Sequence, residues 1–521
     1  MRIMKKNILI VAAIFMVMPA AAQETYENAK LANEDLNGTA RYVGMGGAME
    51  ALGADISTIN TNPAGLGLFR HNTVNGSFGF VSQKDGKSFE KGKQTNMSFD
   101  QLGFVYAMRT GQKSYLNFGF NYHKSKNFDE VLSASGALNN ASQNKLTYEK
   151  YKHNVFATKD DPTYNQLDNF YMSNLLKGSD GKYYNYPATE YDFSRANTGY
   201  IGEYDFNISG NINDRVYLGV TAGLHDVHYR GYSEYFENMN GSGEIGISDL
   251  RKITGTGFDL KLGAIFRPIE SSPFRIGVYV QTPTWYDLTT SNYSQYYAKF
   301  SYNNGANNIN NSADMAESYD FKFYTPWKFG VSLGHTIGNF LALGATYEYA
   351  DYSSCDMRIN TGTSYDWDYG YSYENSSSDN VMNNHISRTL KGVSTVKLGV
   401  EFKPDPSFAV RFGYNYVSPM YNLDGFKDGT LNSPGSYYSS ATDYTNWKAT
   451  NRITCGLGYK YKSWNFDLAY QYSQTNGEFY PFMSYYADTT SGDSSDDNNI
   501  CNAIKVSNKR SQMLFTLGYT F

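Results

Sequence analysis

After its first 22 residues, the sequence lacks any apolar run of about 18 residues, the length that a helix needs to cross a bilayer. A helical membrane protein is therefore excluded. Neither sign of charge dominates, since 45 lysines and arginines stand against 50 aspartates and glutamates. The basic footprint of a nucleic-acid-binding protein is missing, so we expect no nucleic-acid partner. The three cysteines leave two alternatives open: a disulfide between Cys355 and Cys501, or free thiols.

Aromatic residues, by contrast, are abundant, with 48 tyrosines, 32 phenylalanines and 5 tryptophans. Disordered chains are poor in aromatics, so this composition indicates a folded protein. Once a helical membrane protein, a nucleic-acid-binding protein and a disordered chain are excluded, what remains is an all-β chain rich in tyrosine, glycine, asparagine and serine.

The N-terminus has the three parts of a secretory signal peptide. Arg2, Lys5 and Lys6 precede an apolar run at 8–18, and small residues follow at 20–22. We expect residues 1–22 to be removed after Ala22. An uncleaved anchor is disfavoured because the apolar run is too short to span a bilayer.

The C-terminus shows the alternation of a strand with two different faces. From Met513 to Phe521 every odd position is apolar, while the positions between are mostly small or polar. This is the period of two that strands follow. An apolar outside around a polar inside fits a membrane barrel with a wet lumen.

The pattern recurs in fourteen segments, an even number of the kind found in bacterial single-chain barrels. They lie at 72–82, 98–109, 115–125, 200–211, 214–228, 253–267, 273–284, 321–335, 340–352, 388–403, 407–418, 449–461, 464–475 and 510–521. Short connections alternate with long polar ones at 126–199, 285–320, 353–387, 419–448 and 476–509. Residues 72–521 are therefore predicted to form a 14-stranded antiparallel transmembrane β-barrel in the cell outer membrane. Its tight turns and both termini would be periplasmic, and its long loops extracellular.

Residues 23–71 do not alternate and are rich in small residues. So few residues cannot form a core alone, but a barrel wall would bury them from all sides. We predict that they form a plug inside the lumen. Asp55 is expected to cap a short helix, and Asn62-Pro63 indicates a turn. The glycines near Gly44 do not fit either phosphate-loop template.

These residues resemble the FadL/TodX family of outer-membrane transporters for long-chain fatty acids and other hydrophobic compounds. The segments that carry the resemblance are 40–48 with 62–66, 254–258 with 262–263 and 267–268, and 325–330 with 343–349. The resemblance implies a plugged barrel whose ligand enters from outside and leaves by a plug rearrangement or a lateral opening. It assigns Asn62, Pro63, Ala64 and Gly65 to the plug motif. Asn62 would tie the plug to the wall, or the motif would only make a turn.

The predicted function is therefore passive, plug-gated uptake of hydrophobic small molecules of the long-chain fatty acid kind. A plug without clusters of charge offers no ion-selectivity ring, and an apolar cavity with few polar anchors is expected. The predicted partners are a hydrophobic ligand and outer-membrane lipid, and the protein is expected to be a monomer. Ligand-contact residues are not assigned.

Three alternative functions compete with this prediction. Haem uptake would need an axial ligand; His225 and His228 face opposite ways on a strand, while His385 is placed in a loop that reaches outward. An enzyme is not expected, because no Gly-x-Ser-x-Gly element or paired histidine base is found. The third alternative is a non-transport adhesin or structural barrel, or a porin for polar solutes.

No cofactor and no metal site are predicted. The acidic stretch at 491–497 does not fit the calcium-loop template.

Overall fold

The computed structural model describes residues 24–159, 161, 163–186, 188–302, 307–367, 370–437, 439–490 and 492–521. The predicted signal peptide, residues 1–22, lies outside these residues.

The chain forms a closed barrel of 14 antiparallel strands, as predicted. The first six are β1 (Thr73–Gln83), β2 (Thr95–Arg109), β3 (Tyr115–Asn127, continued by Glu130–Ala137), β4 (Glu190–Ile212), β5 (Val216–Asn238) and β6 (Gly243–Phe266). The next four are β7 (Arg275–Gln281, continued by Trp285–Tyr302), β8 (Asn307–Tyr324, continued by Lys328–Ile337), β9 (Leu341–Asp351, continued by Asp356–Asp366) and β10 (Gly392–Asp405). The last four are β11 (Phe408–Val417), β12 (Tyr444–Tyr461), β13 (Trp464–Tyr480) and β14 (Ile504–Thr520).

The first and last strands close the sheet. In this pairing Thr73 lies opposite Thr520 and Gln83 lies opposite Arg510. Every wall strand therefore has a neighbour on both sides, and the wall has no free edge to satisfy in lipid.

The two faces of the wall differ as the alternation predicts. On β14, Met513 and Leu517 are each 43% exposed, whereas Leu514 between them is fully buried. On β12, Ile453 and Tyr459 are exposed and Thr454 is buried. A band of exposed phenylalanine, leucine and tyrosine side chains thus covers the outside, as on barrels that span a membrane.

The strands extend further than the sequence pattern predicted. The stretch 285–320, predicted as a long loop, is largely a hairpin in which Trp285 pairs with Tyr324 and Phe300 with Ile309. The prediction was wrong here because serine, threonine and asparagine occupy both faces, so the apolar period of two disappears. The backbone pairs regardless of that pattern.

Helices lie on the inside of the barrel and at the end with the long connections. The α-helices are α1 (Thr25–Ala32), α2 (Ala40–Gly44), α3 (Gln143–Lys152), α4 (Gln166–Asn174), α5 (Asn380–Thr389) and α6 (Pro434–Tyr437). The 3₁₀-helices are Ile56–Asn60, Pro63–Leu68, Tyr352–Ser354 and Ser495–Asp497. Within the described part of the chain, no helix combines the length and apolar character needed to cross a membrane.

Candidate ligand channel

The N-terminal segment, residues 24–71, lies against the inward face of the wall. Helix α2 packs on β11 to β14, and the 3₁₀-helix Pro63–Leu68 packs on β4, β5 and β6. This close packing requires glycine on the wall, because a Cβ atom added to Gly413 of β11 would overlap the backbone of Met45 and Gly46. Gly46 itself has φ +63°, a conformation that glycine adopts at little cost.

The four residues of the predicted motif lie together at the start of a 3₁₀-helix. Asn62 is fully buried, and its side-chain Oδ1 accepts a hydrogen bond from the Ala64 N–H at 3.2 Å. Its Nδ2 donates to the Ala264 carbonyl of β6 at 3.4 Å. Pro63 occupies the first helical turn, where the missing N–H has no consequence, and Gly65 is buried. Asn62 therefore both caps the turn and contacts the wall. Asp55 caps the preceding 3₁₀-helix, as predicted, by accepting from the Ser57 N–H.

Charged pairs also hold the segment to the wall. Arg41 Nε donates to Glu401 of β10 at 3.0 Å, and Glu401 also accepts from Arg411 of β11 at 2.6 Å. Glu50, which is fully buried, accepts from Lys397 of β10 at 2.8 Å. The expectation of a segment without charged clusters was wrong, because its charges are scattered along the sequence and meet their partners on distant strands.

A cavity of about 290 Å³ lies between the segment and the wall. Aromatic side chains form part of its lining. Tyr26 of α1 stacks on Tyr421 with ring centroids 5.2 Å apart, and Phe128 meets Tyr229 edge to face at 5.1 Å. Such rings supply the apolar contact area that a hydrophobic ligand needs.

The cavity is more polar than the sequence argument predicted. Asp35 of the N-terminal segment faces three cationic side chains, with Lys126 Nζ at 3.5 Å and the guanidinium groups of Arg452 and Arg510 each at 3.9 Å. The Asn127 N–H also donates to Asp35 at 3.0 Å. Three cations around one carboxylate leave local positive charge beside the aromatic lining. No motif could reveal this cluster, because its members come from four separate parts of the chain.

A second set of charges is buried inside the wall beside the segment. Lys261 is at its centre, 2.9 Å from Asp259 and 3.1 Å from Asp205, and it also binds Glu203. Two histidines complete the set: His225 lies 2.9 Å from Asp259, and His123 lies 3.3 Å from Asp205. The lysine occupies the position where a metal ion would bind these carboxylates, so the arrangement is a buried ion-pair network.

The three histidines named as possible haem ligands lie in different surroundings. His225 is buried and His228 is exposed, so the prediction that they face opposite ways is confirmed. His385 does not reach outward: it lies on α5, is 7% exposed and contacts Thr25 of α1 at 2.7 Å and the Phe426 carbonyl at 3.0 Å. The prediction failed because α5 folds into the barrel and packs against α1.

Of the two alternatives for the cysteines, a disulfide or free thiols, the structure has free thiols. Cys355 and Cys501 are free thiols that lie in two different hydrophobic clusters. Cys455, on the outward face of β12, is free as well.

No protein-family model matches the chain, and no curated protein matches it. Several solved structures are similar over nearly its whole length. The toluene transporter TbuX of Ralstonia pickettii is 14% identical, covers 93% of this chain and 99% of its own, and gives a TM-score of 0.48. A FadL homologue of Pseudomonas aeruginosa is 10% identical, covers 97% and 100%, and gives 0.49. The toluene transporter TodX of Pseudomonas putida is 10% identical, covers 94% and 99%, and gives 0.46.

Proposed function

We propose that this protein carries hydrophobic small molecules, of the long-chain fatty acid kind, inward across the outer membrane by passive diffusion. Residues 23–71 act as the plug that gates this passage. The observation that carries the proposal is the cavity between the N-terminal segment and the wall, whose lining includes both aromatic rings and cations.

The gating argument follows from how the segment fills the lumen. Its residues from Ala40 to Leu66 are almost all buried and contact strands around the wall. A ligand in the cavity therefore cannot continue through the barrel unless the segment moves. The contacts that must yield are hydrogen bonds and ion pairs such as those of Asn62 and Glu401, each modest in energy when broken in the presence of water.

The cation cluster suits an amphiphile with one acidic head. A ligand carboxylate could pair with Arg452 and Arg510 by charge-assisted hydrogen bonds, while its chain lies against Tyr26 and Tyr421. In this arrangement the ligand shares the cations that Asp35 now faces. Neutral hydrocarbons would use the aromatic part of the cavity alone.

Mass spectrometry of lipid that co-purifies with the detergent-extracted protein tests the cargo class, alongside its visible absorption spectrum. A bound fatty acid or other apolar compound without a Soret band supports the proposal. A stoichiometric Soret band that is lost on replacing one histidine or tyrosine would establish haem uptake instead.

Deletion of residues 23–66 tests the gate. The expected result is a higher conductance in planar bilayers than the intact protein shows, because the lumen loses its filling. Unchanged conductance in a variant that still forms the barrel would remove the plug from the proposal. Adhesion to cells or matrix that persists after the deletion would favour an adhesin.

A further inference from the structure

A cluster of metal-ligating side chains lies outside the channel, where two external connections meet. Glu149 and His153 are one turn apart at the end of α3, in the connection between β3 and β4. Asp497 ends the 3₁₀-helix Ser495–Asp497, in the connection between β13 and β14. One donor atom from each of the three lies within 4.8 Å of the others. We propose that Glu149, His153 and Asp497 bind a divalent transition-metal ion of the Zn²⁺ class.

The distances suit a shared metal better than a direct ion pair. His153 Nε2 lies 3.4 Å from Glu149 Oε2 and 3.2 Å from Asp497 Oδ2. A tetrahedral ion with bonds of about 2.0–2.1 Å holds its donors about 3.3 Å apart. A charge-assisted hydrogen bond between an imidazolium and a carboxylate would be shorter, at about 2.7–2.9 Å.

The donor atoms also lack the partners that buried polar groups normally have. The Glu149 side chain is 3% exposed, and its Oε2 has no hydrogen-bond partner among the described residues. The same holds for His153 Nε2, whose side chain is 14% exposed. Lys152 Nζ lies 3.8 Å from the same Oε2, beyond hydrogen-bond distance, so the facing oxygen and ring nitrogen remain an unfavourable pair unless a cation lies between them.

The surroundings orient both ligands as metal sites require. His153 Nδ1 lies 3.1 Å from Asp493 Oδ1, so a carboxylate can hold the ring N–H that does not face the metal. Lys152 donates to Asp497 Oδ1 at 2.5 Å, which leaves Oδ2 free to face the histidine. One imidazole and two carboxylates favour Zn²⁺ or a similar ion over Ca²⁺, which prefers oxygen donors alone.

The metal would fasten two parts of the external cap that already touch. Lys145 of α3 donates to the carbonyls of Asp496 at 2.7 Å and Asn498 at 2.9 Å. A bound ion would add a link between the connection that follows β3 and the one that precedes β14. The site is distinct from the cavity and does not depend on the cargo.

Isothermal titration of the mature protein in detergent, without a polyhistidine tag, tests the site with Zn²⁺ alone. The expected result is one Zn²⁺ per chain, lost in His153→Gln and in Glu149→Gln. Asp493→Asn should retain the site with an affinity about 10–100-fold lower, as substitutions behind a ligating histidine do. The matched control His71→Gln, which replaces an exposed histidine beside β1, should bind as the wild type does.

Two further readouts separate metal binding from simple loss of structure. Co²⁺ should give visible d–d absorption in the wild type and not in His153→Gln, while circular dichroism shows the same strand content in both. Zn²⁺ should slow proteolysis of residues 481–503 in the wild type alone. Absence of binding to the wild type, binding unchanged in His153→Gln, or displacement of Zn²⁺ by equimolar Ca²⁺ would each overturn the proposal.

Discussion

At the scale of single residues, the side chains that hold the N-terminal segment have two roles at once. Asn62 caps a turn through its oxygen and contacts β6 through its nitrogen. Glu401 likewise joins a segment arginine to a wall arginine. Because each side chain has a local and a distant partner, its loss affects the position of the segment more than the barrel itself.

Replacing Asn62 with alanine should loosen the segment without unfolding the wall. A lost cap costs about 1 kcal/mol, which raises the population of the displaced segment about fivefold. Limited proteolysis of residues 24–71 should therefore be about fivefold faster in Asn62→Ala. The control Asn96→Ala removes a half-buried asparagine of β2, which donates to the Lys93 carbonyl and does not touch the segment, and it should be cleaved at the wild-type rate. Equal rates for both variants would show that Asn62 does not hold the segment.

Lys261 should be the most sensitive charge in the wall. Lys261→Met leaves Glu203, Asp205 and Asp259 without their shared cation, and breaking a buried ion pair in this way costs about 3–5 kcal/mol. Chemical unfolding in detergent should show a correspondingly lower midpoint. Lys252→Met, an exposed lysine on the same strand, is the control and should unfold at the wild-type midpoint. A midpoint that does not move in Lys261→Met would contradict this view of the network.

The cations of the cavity should matter for binding of an acidic ligand and not of a neutral one. Replacing Arg452 and Arg510 together with glutamine should weaken binding of a long-chain fatty acid about 10–100-fold, the range expected when charge-assisted hydrogen bonds are lost. Binding of a neutral hydrocarbon such as toluene should change little, because it uses the aromatic lining. Equal losses for both ligands in equilibrium binding measurements would indicate that the variant has damaged the cavity as a whole.

At the scale of elements, the segment packs closely on the wall because glycines at the contact have no side chain. Gly413→Val should push the segment away from β11, since its side chain would occupy the space of the Met45–Gly46 backbone. We expect higher conductance in planar bilayers. Gly76→Val is the control, because a Cβ there meets only the Leu102 side chain at 3.7 Å. A conductance for Gly413→Val that matches the control would mean that this contact does not seal the lumen.

The elements also show what sequence can and cannot predict. All fourteen wall strands were predictable, because lipid on one side and a polar lumen on the other impose the period of two along β12 and β14. The hairpin of β7 and β8 beyond Trp285 was not, since polar residues such as Thr290, Asn292 and Ser294 occupy its buried face and hide the apolar period. Asn62 was identified by its motif, whereas the clusters around Asp35 and His153 join residues hundreds of positions apart. Whether such distant residues meet depends on the register of the strands that carry them, and no local sequence pattern encodes this register.

At the scale of the whole molecule, the barrel separates an apolar exterior from a polar interior, and this separation can be measured. Trp464 is 42% exposed on the outer face, while Trp447 lines the cavity. In lipid vesicles, brominated acyl chains should quench a variant that retains Trp464 alone and leave one that retains Trp447 alone largely unquenched. The other tryptophans are replaced with phenylalanine in both. Equal quenching would contradict the assignment of the two faces.

The seam between β1 and β14 has a consequence for how the molecule is made. Ser77 and Thr516 share a hydrogen bond although they lie 439 residues apart in the chain. Contacts this distant in sequence form late, after the entropy of a very long loop has been lost. We expect the N-terminal segment, which packs on strands around the wall, to be fully enclosed only when the last strand joins the first. Closure of this seam therefore completes both the wall and the enclosure of the segment.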